Sequence, residues 1–158
     1  MIKIFIFLYL FYVLFEKIYS VLQKRKEYLK KDTIHMFNVQ LADNKFKRKH
    51  GLMYIKKKLK PNQGMLFDYK KNLYPSLWMK NTYIGLDAIF LDTNSKVIDL
   101  IENMKPLSKK SHKSNKLTRY ILEVNKNTIR NKNIKLGDYI GTTLVKKNIT
   151  NFKSSNIN

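Results

Sequence analysis

Two carboxylates interrupt otherwise apolar runs: Asp87 in GLDAIFLD and Glu123 in RYILEVN. An acid set among Leu, Ile, Val and Phe loses its hydration and needs a partner. Such a pair either forms structural ion pairs, with Arg48, Lys80 or Arg119 as the cations, or works as acid and base if both groups face one cleft. A second polar group follows the only tryptophan, in Trp78-Met79-Lys80-Asn81-Thr82. Trp78, Lys80 and Asn81 suit a ligand rim, and equally a strand end, because Asn-Thr favours a turn. Alternation along a strand sends one of Trp78 and Met79 inward. The expectation is Trp78 in the core and Asp87 held by a basic partner, Arg48 first among them. Arg48 and His50, just before Gly51, could also bind an anion; the simpler role for Arg48 is to anchor its helix to a strand carboxylate.

These residues must be positioned by short elements. TIHMFNVQLA (33–42) reads as a first strand. DNKFKRKHGLM (43–53) reads as a short helix with Asp43 as N-cap and Gly51 as C-cap. GMLFDY, LWMKN, GLDAIFLD and KVIDLIEN read as strands two to five. Pro75 bends the chain before the third, and TNS turns the last two, with Asn94 at positive φ. KPLSKKSHKSNK (105–116) is a basic loop carrying His112. RYILEVN is a sixth strand, KNTIRNKNI a helix capped by Asn125 or Asn127, and LGDYIGTTLV (136–145) holds the last strand. The fold class is therefore α+β: a compact, mainly antiparallel β domain with a partly closed, barrel-like sheet and two short helices, preceded by an N-terminal apolar helix.

Composition removes several functions. There is no cysteine, hence no disulfide, thiolate metal site or cysteine nucleophile. The three histidines (His35, His50, His112) are scattered, and there is no His-x-x-x-His pair, glycine-rich phosphate loop or Gly-x-Ser-x-Gly elbow, so neither metal nor cofactor is expected. The net charge of +21 suggests nucleic acid, but of 32 basic residues only Arg25, Arg48, Arg119 and Arg130 are arginine. Readers of bases and phosphates lean on the bidentate arginine fork, and Lys, Asn, Ile and Tyr together are what A/T-rich codons produce. No specific nucleic acid is expected; nonspecific attraction to anionic lipid or polymer is, and it fades with salt.

The N-terminus is a separate matter. IFIFLYLFYVLF (4–15) has no polar face, which argues against a buried soluble helix. As a helix it spans about 18 Å, too little for a bilayer, but the segment continued to Leu22 reaches about 28 Å. Glu16 and Lys17 would then snorkel. The best available cleavage site, Ile18-Tyr19-Ser20, matches the small-residue pattern only poorly, which favours an uncleaved anchor over a signal peptide. The basic flank QKRKEYLKK after the span would keep the rest cytoplasmic by the positive-inside rule, although lysine is dense throughout. The expected division is an anchor or signal over 1–31, one β-rich domain over 32–146 and a polar tail over 147–158.

Taken together, RKHGLM (48–53), GMLFDY (64–69), WMKNTYIGLDAIFLD (78–92), VIDLIEN (97–103), RYILEVN (119–125) and KLGD (135–138) resemble domain-of-unknown-function family 192, the UPF0127 group, over about residues 34–145. The resemblance implies a single β-rich domain, commonly behind a signal or anchor in prokaryotic envelopes, with no activity established. Many members carry a cysteine pair in the loop before the sixth strand, where this chain has SKKSHKSNK. Members usually read Leu-Glu-Leu-Asn-Ala-Gly where this chain has LEVNKNT, which alters the turn into the second helix.

The function expected on these grounds is a non-catalytic, membrane-tethered module of the envelope that binds a small molecule or a protein. Its domain would lie on the periplasmic or outer side of the inner membrane, or be secreted if the signal is cleaved. The candidate ligand-binding residues are Arg48, Trp78, Lys80, Asn81, Asp87 and Glu123. The alternative is a small hydrolase-like enzyme using Asp87 and Glu123 in a cleft near Trp78.

Overall fold

The computed structural model describes residues 2–28 and 33–145; the expected polar tail, 147–158, lies outside them. The chain divides into two units, Met1–Asp32 and Thr33–Asn158. The first contains α1 (Ile2–Tyr28), which over Ile4–Arg25 is long and apolar enough to cross a membrane.

The second unit is built on a curled, six-stranded half-barrel. Its strands are β1 (Ile34–Ala42), β2 (Gln63–Leu73), β4 (Leu86–Leu91), β5 (Val97–Met104), β7 (Thr118–Asn125) and β8 (Tyr139–Leu144), in the order β5-β4-β7-β2-β1-β8. A small ribbon pairs β3 (Ser76–Leu77) with β6 (His112–Lys113). The two short helices are α2 (Lys45–His50) and α3 (Thr128–Lys132). Antiparallel pairing runs from β5 through β4 and β7 to β2. In contrast, β1 is parallel to both β2 and β8. A parallel neighbour demands a crossover, and α2 with its following loop supplies the one from β1 to β2. The outer strands meet at one end: Val97 N–H donates to the Asp138 carbonyl (2.8 Å) and Ile140 N–H to that of Ser95 (3.0 Å).

Every position of β4 is buried, because both faces of the sheet are covered and an unbroken apolar run satisfies both. One face packs Phe67, Ala88, Phe90 and Ile121 against Leu52 and Met79. The other packs Leu66, Ile89, Leu122 and Val124 against Phe37 and Ile129.

Local chemistry departs from expectation at several points. Asn44, not Asp43, caps α2: its Oδ1 accepts the Lys47 N–H at 2.9 Å, while Asp43 pairs with the Lys47 ammonium. In the β4–β5 turn the positive φ falls on Ser95 (64°) rather than Asn94, since Asp92 Oδ1 gathers the N–H groups of Asn94 and Lys96. The third strand stops at Leu77 instead of running to Asn81. Met79 N–H turns aside to the Ser108 carbonyl, and Thr82 N–H closes a turn onto the Met79 carbonyl. His112 lies not in an unpaired loop but on β6, opposite Leu77.

Candidate functional site

The Trp78–Thr82 segment is a loop whose alternation is the reverse of the expected one. Met79 is buried at 1 % exposure and Trp78 is 49 % exposed. Trp78 is therefore not core packing. The correction has a plain cause: the thioether fits the apolar face beside Leu52 and Phe67, leaving the indole outside, where the Lys80 ammonium lies 5.5 Å from its centroid. Asn81, in the left-handed region at φ 57°, clamps the segment that follows α2. Its side-chain N–H donates to the Tyr54 hydroxyl (2.9 Å), and its carbonyl accepts the Tyr54 N–H (2.7 Å).

Trp78 forms one wall of a cavity of about 320 Å³. Leu52, Phe67 and Leu77 add apolar lining, Tyr69 a phenol, and Lys45, Arg48 and Lys49 of α2 bring cations to it. Gly51, where α2 ends, has φ 52°, and a Cβ there would meet the Phe67 ring at 3.3 Å; only glycine takes this turn cheaply.

Glu123 also lines this cavity. It is 5 % exposed; among the described residues its carboxyl has no hydrogen bond or ion pair, and its oxygens open onto the cavity rather than being sealed in the core. Burial pushes its pKa up to about 8, because desolvation disfavours the charged form. Near neutral pH it is therefore mostly a carboxylic acid, able to donate a hydrogen bond. Tyr69 is raised to about 12, by burial first and then by the nearby Glu123.

Asp87 is elsewhere. It is fully buried, with Oδ1 accepting the Asn103 N–H (2.9 Å) and Oδ2 the Ile129 N–H (3.0 Å). Ile129 is in the first turn of α3, whose N-cap residue Asn127 makes no side-chain cap bond; Asp87 satisfies that orphan donor from across the fold. The expected Asp87–Arg48 pair does not form. Arg48 instead donates from Nη1 to the Asp68 carbonyl (2.9 Å) and stacks on Tyr69 at 5.3 Å. It does tie α2 to a strand, but through a backbone oxygen. The acid that does carry a buried salt bridge is Asp68, paired with Arg119 and Lys70. Burial opposes its ionisation, yet the bonds from Lys70 and Arg119 outweigh that and hold its pKa at about 2.

Of the six candidates, Arg48, Trp78 and Glu123 thus converge on the cavity, Lys80 and Asn81 flank Trp78, and Asp87 is remote. Tyr69 and the α2 lysines were not singled out from sequence; a tyrosine at a strand end and lysines in so lysine-rich a chain give no signal there. Among the described residues no cluster of three His, Asp or Glu side chains could hold a metal.

Residues 27–142 match the model of DUF192, "Uncharacterized ACR". The chain belongs to the DUF192 family. Two solved structures are similar to this DUF192 chain. One, from Sinorhizobium meliloti 1021, is described as a "putative transcription regulator"; it is 35% identical with a TM-score of 0.62, over 64% of this chain and 78% of that one. The other, a protein of unknown function from Novosphingobium aromaticivorans DSM 12444, is 29% identical with a TM-score of 0.63, over 65% and 73%. No curated protein matches.

Proposed function

We propose that this DUF192 protein is a membrane-tethered domain of a prokaryotic envelope that binds a small molecule in the Trp78–Glu123 cavity without transforming it. The observation that carries the reading is Glu123. Its carboxyl has no protein hydrogen bond among the described residues and borders an open space, so a molecule entering that space can supply the partner. Sites of this kind combine apolar and aromatic walls with a few placed polar groups. The length and apolar character of α1 support a tether, and the family resemblance supports the periplasmic or outer side.

The hydrolase reading needs Asp87 and Glu123 in one cleft. Glu123 is opposite Ala88 in the β4–β7 register, so Asp87 points to the other face of the sheet. A binding role is favoured over acid–base work by that pair.

The test is a small-organic-fragment screen on the full chain in detergent micelles, read by NMR. Hits should shift Trp78, Tyr69, Gly51 and Leu52 together. Shifts that never include the cavity would sink the reading.

A further inference from the structure

The polar groups of the cavity are of two kinds. Glu123 is a buried residue whose carboxyl opens onto the cavity with no hydrogen bond or ion pair among the described residues, whereas the lining cations of α2 are exposed (Lys45, Lys49) or half-buried (Arg48) and so mark its mouth. The same cavity is lined by Leu52, Phe67, Tyr69 and Trp78, which suits a flat apolar body. Three cations at the mouth, on a chain of net charge +21, draw anions in and repel ammonium groups.

Resting on the reading of this cavity as a binding site, we propose that its ligand is a small aromatic anion with an uncharged hydrogen-bond acceptor at the far end. The acceptor takes a hydrogen bond from the Glu123 carboxylic acid, and the anionic group faces Lys45, Arg48 and Lys49. The opposing possibility is an ammonium at the far end, which would turn Glu123 into the anion of an ion pair. The two differ in proton linkage. An acceptor needs Glu123 protonated, so its affinity falls about tenfold per pH unit above the Glu123 pKa; an ammonium gains affinity as Glu123 loses its proton. The other titratable groups lining the cavity are Tyr69 on β2 and, on α2, His50, Lys45, Lys49 and Arg48. His50 is held below its ordinary value by burial, and Tyr69 is raised to about 12; the Glu123→Gln variant, which keeps both, separates their titration from that of Glu123.

The experiment uses the full chain in micelles and the single Trp78 indole N–H signal, with calorimetry for affinity. Two probes share one body and one carboxylate: 4-acetylbenzoate, with a carbonyl at the far end, and 4-(aminomethyl)benzoate, with an ammonium. The expected result is tighter binding of 4-acetylbenzoate, weakening from pH 7 to 9, with the pH dependence abolished in Glu123→Gln, whose amide still donates. Preference for the ammonium probe, or a pH dependence that survives in Glu123→Gln, overturns the ligand class but leaves the cavity a binding site. If neither these probes nor any fragment moves the indole signal, the binding reading itself falls, and this inference with it.

Discussion

Asp87 and Glu123 occupy neighbouring strands and point to opposite faces of one sheet, because Glu123 is opposite Ala88 while Asp87 is opposite Val124. The two acids meet different fates for that reason. Asp87 faces α3 and the end of β5, where two backbone N–H groups are fixed at 2.9 and 3.0 Å. Glu123 faces the cavity and, among the described residues, meets no hydrogen-bond donor. One acid holds elements together and the other borders an open space.

Asp87→Asn should destabilise the domain. An asparagine keeps the shape, but one of its two terminal atoms becomes an N–H₂ aimed at a backbone N–H, so a buried donor loses its acceptor. The expected loss is about 1–3 kcal/mol, measured by urea unfolding. Unchanged stability with altered ligand binding would mean that Asp87 serves a site after all.

Glu123→Gln should do the opposite, and in a pH-dependent way. The folded pKa of Glu123, about 8, lies above the ordinary carboxylate value. Its contribution to stability is fully present below the unfolded pKa and is lost as pH rises through about 8. The variant has nothing to lose over that range. Its stability relative to the parent should therefore climb from pH 5 to 8, by an amount on the order of a few kcal/mol. Parallel stability–pH curves would show that Glu123 is not desolvated as described.

Much of this was legible in the sequence. The strands GMLFDY, GLDAIFLD and RYILEVN stand close to where the patterning puts them, since a fully buried strand is an unbroken apolar run whatever its neighbours. Glu123 stood out as an acid in such a run. Register did not: whether Asp87 meets Glu123 or Val124 on the partner strand depends on long-range pairing, and a one-residue slip exchanges the faces. The parallel placement of β1 between β2 and β8 was hidden for the same reason. Trp78 was misread because alternation says that one of two neighbours goes inward and does not say which.

Asp68 should govern the acid limb of stability. Its pKa of about 2 lies below the ordinary carboxylate value, so the stabilisation is present above about pH 4 and is lost as pH falls through 2. The Lys70 ammonium is largely exposed (62%), so solvent screens its pair, and its backbone N–H bond to Asp68 survives side-chain truncation; Arg119 is mostly buried (17%). Arg119→Ala should therefore lower stability at pH 7 more than Lys70→Ala, and flatten the acid limb between pH 4 and 2. Equal effects of the two substitutions in thermal melts would contradict this division.

Asn81 fixes the turn that follows Trp78 to the segment after α2. Its φ of 57° suits asparagine or glycine, and its side chain reaches the Tyr54 hydroxyl at 2.9 Å. Alanine loses the hydrogen bond and also strains at positive φ, the latter by about 1 kcal/mol. Glycine loses only the hydrogen bond. Asn81→Gly should therefore be less destabilising than Asn81→Ala, by about 1 kcal/mol in chemical denaturation. Both variants free the segment after α2 from the Trp78–Thr82 turn, except for the backbone bond from Tyr54 N–H. Trp78 fluorescence should accordingly become more accessible to a neutral quencher such as acrylamide in both, and to a similar degree. Quenching that tracks stability, large in alanine and absent in glycine, would show that backbone strain rather than the Asn81–Tyr54 bond sets the position of the indole.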